Sequence, residues 1–498
     1  MTRMHSFNND DIPDAPDTEQ EDQQKGLRLW TRRRAIQLGA AGLTAGLAAT
    51  PFITNVLTAL AAPVATLPWP AANTIVAETT VPTFPNKTFN VTNYGAKGDG
   101  STDNTSAFQK AIAACNTAGG GQVVVPSGTF VTGAIQLLSN VNLQLNSGAT
   151  IMFSSDVSKY PIVLTRYQGI ELMNHSPLIY AHGQNNIAVT GSGTLDAANV
   201  GSWNGSDDSS AWSKLQSYAN NGTAVSKRVF GSSGNRLRTT FVEPYSCTNV
   251  LIQGITLKHA WFWQLHPTLS TNVTVDSVTV TSPSKGNSDG CDPESCDHVV
   301  INNSSFSCKD DTIAIKSGRD ADGRRLNTPC QNLVIMNSKF ESNRGMVACG
   351  SEQTGGVQNV YCYNLSSFGN GVWACLYIKS NPDRGGFVKN VSMDTIKGTG
   401  RSDQSASSGA PAGILAILNY NNTTSGGHLP IFDQFHVNNM TFDSSPYAVR
   451  LEGLSNDKIG TVTVSNSKFT NIAHQTSIVT NVNSLTYTNV TINGKPVS

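Results

Sequence analysis

Charge bias of either sign is missing from this chain. Its 34 Lys and Arg residues balance 34 Asp and Glu, and charged residues make up 14% of the 498. That excludes the basic excess of a nucleic-acid binder, although a locally basic groove is still allowed. Metal-type cysteine spacing is missing too. The nine cysteines contain no CxxC pair, which argues against a zinc site. Their odd number leaves at least one thiol free. Cys291 and Cys296 are close enough in sequence to bridge in an oxidising compartment. The plainer expectation is that most of the nine are small buried hydrophobes. Nor is there a convincing membrane span. The mildly apolar stretch 35–49 is broken by Gly39, Gly42 and Gly46, with Pro51 and Asn55 beyond it. A bilayer asks for about 20 predominantly apolar residues.

What is present divides into three parts. Residues 1–61 read as a targeting segment rather than fold. Thr31-Arg32-Arg33-Arg34 precedes the apolar stretch, and Ala59-Leu60-Ala61 offers small residues for a signal peptidase. An arginine pair before a weak apolar run resembles a twin-arginine export signal, which implies a bacterial source; an uncleaved anchor is the alternative. Residues 62–87 form a Pro-rich linker, with Pro63, Pro68, Pro70, Pro82 and Pro85. The rest, 88–498, is expected to be one domain. Its single clear helix is 104–118, where Asp103 or Asn104 caps a stripe of Ala107, Phe108, Ala111, Ile112 and Cys115.

Beyond that helix the chain repeats. The phrase Asn-Val-x-Ile/Val recurs at Asn249, Asn272, His298, Asn332, Asn359 and Asn390, in steps of 23, 26, 34, 27 and 31 residues. Weaker copies begin near Gln434, Thr461 and Ser484. Units of this length built from short strands indicate a solenoid; a propeller blade needs about 40–45 residues. The pattern predicts an all-β, right-handed parallel β-helix in which the recurrent Asn ladders at a turn. The N-terminal helix then caps the stack. A two-sheet sandwich is the competing architecture.

Two acidic motifs sit about one coil apart on this lattice. Asn287-Ser288-Asp289-Gly290 precedes Lys309-Asp310-Asp311, which runs into the apolar Ile313 and Ile315. Consecutive residues of a strand face opposite ways, so Asp310 and Asp311 both face outward only at a strand entry or bend. Three carboxylates gathered there raise at least one pKa and leave a proton donor beside ionised neighbours. That is what glycoside hydrolysis requires. Two other readings compete. Asp and Asn also form ordinary solenoid turns. Clustered carboxylates, with Asp292 and Glu294 nearby, also suit calcium.

These motifs resemble the polygalacturonase family, glycoside hydrolase family 28. Arg319-Asp320-Ala321-Asp322-Gly323-Arg324-Arg325 and Gly350-Ser351-Glu352-Gln353-Thr354-Gly355-Gly356 extend the resemblance toward its exo-acting branch. Asn93-Tyr94-Gly95-Ala96-Lys97-Gly98-Asp99-Gly100 resembles the opening shared by pectin-degrading β-helices. The resemblance implies that Asp310 protonates the glycosidic oxygen while Asp289 and Asp311 hold and deprotonate the attacking water. The anomeric centre inverts, with carboxyls ~6.5–9.5 Å apart across the scissile bond. Two positions depart from the family. Asn343-Arg344-Gly345 stands where Gly-His-Gly is usual, and Tyr377-Ile378-Lys379 where Arg-Ile-Lys is usual. Lys379 supplies a cation for a galacturonate carboxylate, and Arg344 offers a two-pronged one in place of the missing arginine. Asn287 and Tyr377 complete the substrate-binding set, Tyr377 either stacking on a sugar or packing. Trp261, Trp263 and His266 are either a sugar platform or core, and the polar insertion 210–232 is placed to wall one end of a cleft.

The expected activity is hydrolysis of α-1,4-galacturonosyl bonds in pectin by an exported enzyme. It needs no metal or other cofactor and has no nucleic-acid or membrane partner after signal cleavage; the oligomeric state stays open. Alternatives are hydrolysis of another pectic glycan such as rhamnogalacturonan, a calcium-dependent pectate lyase, and a non-catalytic glycan-binding β-helix.

Overall fold

A computed structural model describes residues 66–282, 286–401 and 410–497. Strands pair in parallel along nearly its whole length, each coil stacking on the one before, as in a right-handed parallel β-helix. Short apolar segments interrupted by polar turns fold this way because inward positions of successive coils share one core. Val189, Ile252, Val275, Ile301, Ile335 and Cys362 form one such column, all buried. Burying each of these larger side chains stabilises by roughly 1.5–3 kcal/mol.

The recurrent Asn forms the expected ladder. Asn249, Asn272, Asn332, Asn359 and Asn390 all hold φ between 53° and 59°, the left-handed region that Asn tolerates better than most residues. The Asn272 amide donates to Asn249 Oδ1 and Asn390 to Asn359 Oδ1, each at 2.9 Å. His298 interrupts the run, and Asn332 donates to Asp297 instead.

A helix spans Thr105–Thr117 and buries the five predicted stripe residues, covering the first coils. Asp103 Oδ1, not Asn104, accepts from the Thr105 amide at its start. The other end is covered by an antiparallel pairing of Val490–Ile492 with Lys495–Val497.

Two sequence expectations change. Part of the segment read as a Pro-rich linker is a helix, Pro70–Glu78. Proline opens it, where its missing N–H is harmless. Its Ala72 and Ile75, with Leu67, pack on Val300, Val334, Met336 and Tyr361 on the outside of the stack. The Cys291–Cys296 bridge does not form: all nine cysteines are free and buried. The export segment 1–61 lies outside the described residues, and no described helix is long and apolar enough to cross a membrane.

A third run of strands positions the site. Ile313–Ile315, Gly345–Cys349, Ala374–Lys379 and Ala412–Ile417 stack in parallel. Single bridges continue the run upstream through Cys291 and Leu265 to Val242.

Candidate active site

Asp310 and Asp311 lie in a bend just before Ile313–Ile315, which lets both point out. Asp289 lies on the preceding coil, its register fixed by Cys291 bridging to Ile313. Carboxylate oxygens of the three approach within 4.8 Å of one another. These are distances between nearest oxygens, whereas the expected ~6.5–9.5 Å is the separation of whole carboxyl groups across a scissile bond. Gly345 leaves the necessary room. Its N–H donates to Asp311 Oδ1 at 2.8 Å, and a Cβ there would come 3.1 Å from that oxygen and 3.0 Å from the Tyr377 Cβ.

All seven predicted site residues line one cleft of about 200 Å³, with Gln168, Trp263, Lys316, Ser351, Glu352, Tyr420 and Asn421. Lys379 Nζ donates to Asp311 Oδ2 at 2.7 Å. Lys316 Nζ lies 3.6 Å from Asp289 Oδ2 and 3.4 Å from Glu352 Oε2. Asp310 has backbone partners instead: the Asp311 N–H at 3.0 Å and the Asn287 N–H at 3.3 Å. Burial and Asp311 push the Asp310 carboxyl up, against the pull of Lys379 and Arg344. Burial and Asp310 push Asp289 well up, against Lys316. Asp289 and Asp310 thus oppose each other's ionisation, and the cluster keeps a proton above the ordinary carboxylate range. Glu352 goes the other way. Burial opposes its charge, but Lys316 and Arg319 outweigh burial and bring it to about 2.

The substrate-binding set divides. Arg344 is half-buried, with its guanidinium 5.9 Å from the Trp373 ring, and among the described residues it pairs with no carboxylate. Lys379 is buried and committed to Asp311. Asn287 supports Asp310 through its backbone, while its side-chain oxygen accepts from Arg238 at 3.1 Å. Tyr377 is 2% exposed, edge-on to Trp373, with its ring 4.4 Å from Lys379 Nζ; it packs and steadies the lysine rather than offering a sugar-stacking face. Lys379 stacks over Gly350 and Lys316 rather than over Arg344.

Sequence reasoning named Lys316 and Glu352 only as letters in motifs. The signal was there: a lysine directly after Ile313-Ala314-Ile315 is a charge placed against an apolar strand, which calls for a partner. Trp263 lines the cleft, whereas His266 is fully buried between Glu243 and Glu294. The polar insertion does reach this region. Helix Ala211–Asn220 packs Ala211, Leu215 and Ala219 against Tyr167, Phe262 and Trp263. The neighbouring Trp212 stacks under the Arg319 guanidinium at 4.6 Å.

Residues 88–210 match the family model described as rhamnogalacturonase A/epimerase, pectate lyase-like. The Vitis vinifera protein named "Probable polygalacturonase" is 26% identical over 393 residues, 75% of this chain and 72% of that one. The exo-poly-alpha-D-galacturonosidase of Dickeya chrysanthemi is 30% identical over 348 residues, 64% of this chain but only 56% of that enzyme. Among solved structures, the hyperthermoactive exopolygalacturonase of Thermotoga maritima superposes with a TM-score of 0.78 at 35% identity, covering 85% of this chain and 96% of that one. The last match spans essentially a whole relative, and with it the chain belongs to the polygalacturonase family of glycoside hydrolases, family 28, in its exo-acting branch.

Proposed function

We propose that this protein hydrolyses α-1,4-galacturonosyl bonds at the ends of galacturonan chains, with inversion. The carrying observation is the partition of cations in the cleft: among the described residues Asp311 and Asp289 each contact a lysine, and Asp310 contacts none. Burial raises Asp289 as well as Asp310, so the proton is shared between them; lysine contact favours the ionised form of Asp289, and that assigns the donor's role to Asp310. Asp310 delivers that proton to the glycosidic oxygen. Asp289 and Asp311 hold and deprotonate the water that attacks the anomeric carbon. Arg344, the cation without a carboxylate partner, takes the carboxylate of a bound galacturonate, and Lys379 adds positive charge beside Asp311. The two lysines also supply the charge that a calcium ion would bring to the same oxygens, so the chemistry needs no metal.

The test is mass spectrometry of products from polygalacturonate and rhamnogalacturonan, run side by side with and without a chelator. Saturated monogalacturonate from the first polymer, unaffected by chelation, is expected. Unsaturated products that vanish with chelator would make it a lyase. Rhamnose-containing products alone would move the substrate to rhamnogalacturonan. Absence of any product would favour a glycan-binding role. NMR of the first-formed anomer reads the stereochemistry, and a retained configuration defeats inversion. Residues 1–61 direct export through a twin-arginine-type route; a mature N-terminus at or before Arg34 would overturn that.

A further inference from the structure

Upstream of Asp310 the third run of strands carries ionisable side chains, from Glu243 to Glu294, that this chemistry does not use. Glu243, His266 and Asp292 follow one another in a single outward column, and Tyr245, Thr268 and Glu294 in the next, as the bridges at Leu265, Cys291 and Thr268 fix. Farther along, the same columns carry Ala314, Ala348 and Tyr377, then Lys316, Gly350 and Lys379. The latter stretch floors the open cleft. The columns therefore form one ribbon, open downstream and covered upstream.

The cover is an antiparallel hairpin, Ile162–Tyr167 with Ile170–His175. Arg166 Nη1 lies 2.9 Å from Glu294 Oε1, both side chains wholly buried. Thr165 donates to Glu243 Oε1 at 2.7 Å. His266 bridges the two glutamates, 3.2 Å from Glu243 and 2.8 Å from Glu294. The hairpin's tip reaches the cleft itself. Gly169 O accepts from the Arg319 N–H at 3.0 Å, and Gln168 Oε1 from Arg319 Nη1 at 3.2 Å. A side chain at Gly169 would meet the Arg319 Cβ at 2.8 Å.

We propose that Arg166, through Glu294, His266 and Glu243, is the positioning residue that makes the cleft closed-ended. It seats the hairpin in the upstream run of a groove that would otherwise continue, so that only a chain end fits. This rests on the galacturonan-hydrolase reading above. A buried pair holds its partners together because separating them leaves a charge in the interior without compensation. Here the two charges sit on different elements, one on the hairpin and one on the coil beneath. Losing the arginine leaves Glu294 a reason to reach water, and the hairpin stands in its way.

The test compares wild type with Arg166→Leu on polygalacturonate, following product lengths by mass spectrometry in early turnover. Amide hydrogen exchange of residues 162–175 is measured in parallel. The expected result is about a tenfold rise in oligomers relative to monogalacturonate, with faster exchange in the hairpin than in the strands below it. A folded, active Arg166→Leu that still releases only monomer overturns the proposal. If that variant does not fold, Glu294→Gln takes its place, since it keeps the side-chain shape and removes only the charge; monomer-only products there overturn it equally. A wild type that releases no sugar defeats the galacturonan reading instead. In that case hairpin amides that exchange no faster in Glu294→Gln than in wild type defeat the staple on their own.

Discussion

The covered and open halves of the same ribbon bury charge in opposite ways. Upstream, each carboxylate is answered by a cation or a hydroxyl, while Arg166 Nε and Nη2 are buried without a hydrogen-bond partner among the described residues. Arg166 meets Glu294, and His266 joins Glu294 to Glu243, whose oxygens also accept from Thr165 and Thr240. Burial would raise the Glu294 carboxyl, yet Arg166 and His266 hold it below the usual range. At the carboxylate cluster of the cleft, and at Asp292 on the coil of Asp289, the answers are incomplete. Asp289 Oδ1 and both oxygens of Asp292 are buried without a hydrogen-bond partner among the described residues. Burial drives both carboxyls well up, with Asp310 adding to the rise at Asp289 and Asp289 to the rise at Asp292. Equivalent strand positions thus give a sealed ionic joint in one place and a proton-holding cluster in the other. What differs is whether cations match carboxylates one for one.

The largest expected effect breaks this contrast from the open side. Asp310→Asn keeps the shape and removes the proton donor, so kcat should fall by about 10³-fold, within the range for losing a general acid. Stability should hold or rise, because a carboxylate that repels Asp289 and Asp311 is gone; thermal melting and kinetics on polygalacturonate read the two outcomes separately. An active Asp310→Asn would remove the acid from its role. The mirror experiment is Glu294→Ala on the covered side. It strands Arg166 in the interior and should cost about 3–5 kcal/mol, seen as a large fall in Tm. If both variants lost mainly activity, or both mainly stability, the two halves would not differ as described.

A smaller effect separates substrate binding from proton supply. Arg344→Gln removes a charge-assisted contact and should raise KM by about 10- to 100-fold. Burial and Asp311 raise the Asp310 carboxyl, and Arg344 pulls it back down. Without the arginine the carboxyl rises further. Asp310 acts in its protonated form, which is lost as pH climbs through that pKa, so the alkaline limb of the kcat/KM profile should move to higher pH. An unchanged limb would mean that Arg344 and Asp310 do not sense each other.

The sequence made the coil legible because its signals are local and repeated. Asn at left-handed turns and paired apolar positions recur with every rung, and the step from Asp289 to Asp311 equals the 22-residue register between Cys291 and Ile313. The unread parts depend on contacts between distant coils. Lys316 earns its partners from Asp289 on one neighbouring coil and Glu352 on the other, which no window of sequence displays. Helix Pro70–Glu78 was masked by prolines that permit a helix start as readily as a linker. The end wall was read only as a polar insertion. Its apolar residues Leu215 and Ala219 find their partners on the hairpin and near Trp263, and nothing local marks Arg166 as the residue underneath.

The smallest prediction asks whether the long sheet matters to the cleft at all. Asn359 holds φ at 57°, donates to Asn332 and accepts from Asn390, both at 2.9 Å. Asn359→Ala loses those two bonds and places a residue with little tolerance for that φ, for about 1–2 kcal/mol in all. Asn359→Gly keeps the backbone freedom and loses only the ladder, so its Tm should fall between wild type and alanine. Equal losses in the two variants would leave the ladder as the whole effect, and no loss in glycine would leave the backbone as the whole effect. In neither variant should kcat/KM change, because the ladder runs along a turn remote in sequence and contact from Asp310. A change in turnover would mean that strain in one wall of the coil reaches the carboxylates on another, and the contrast between open and covered ribbon would then have to include the sheet behind both.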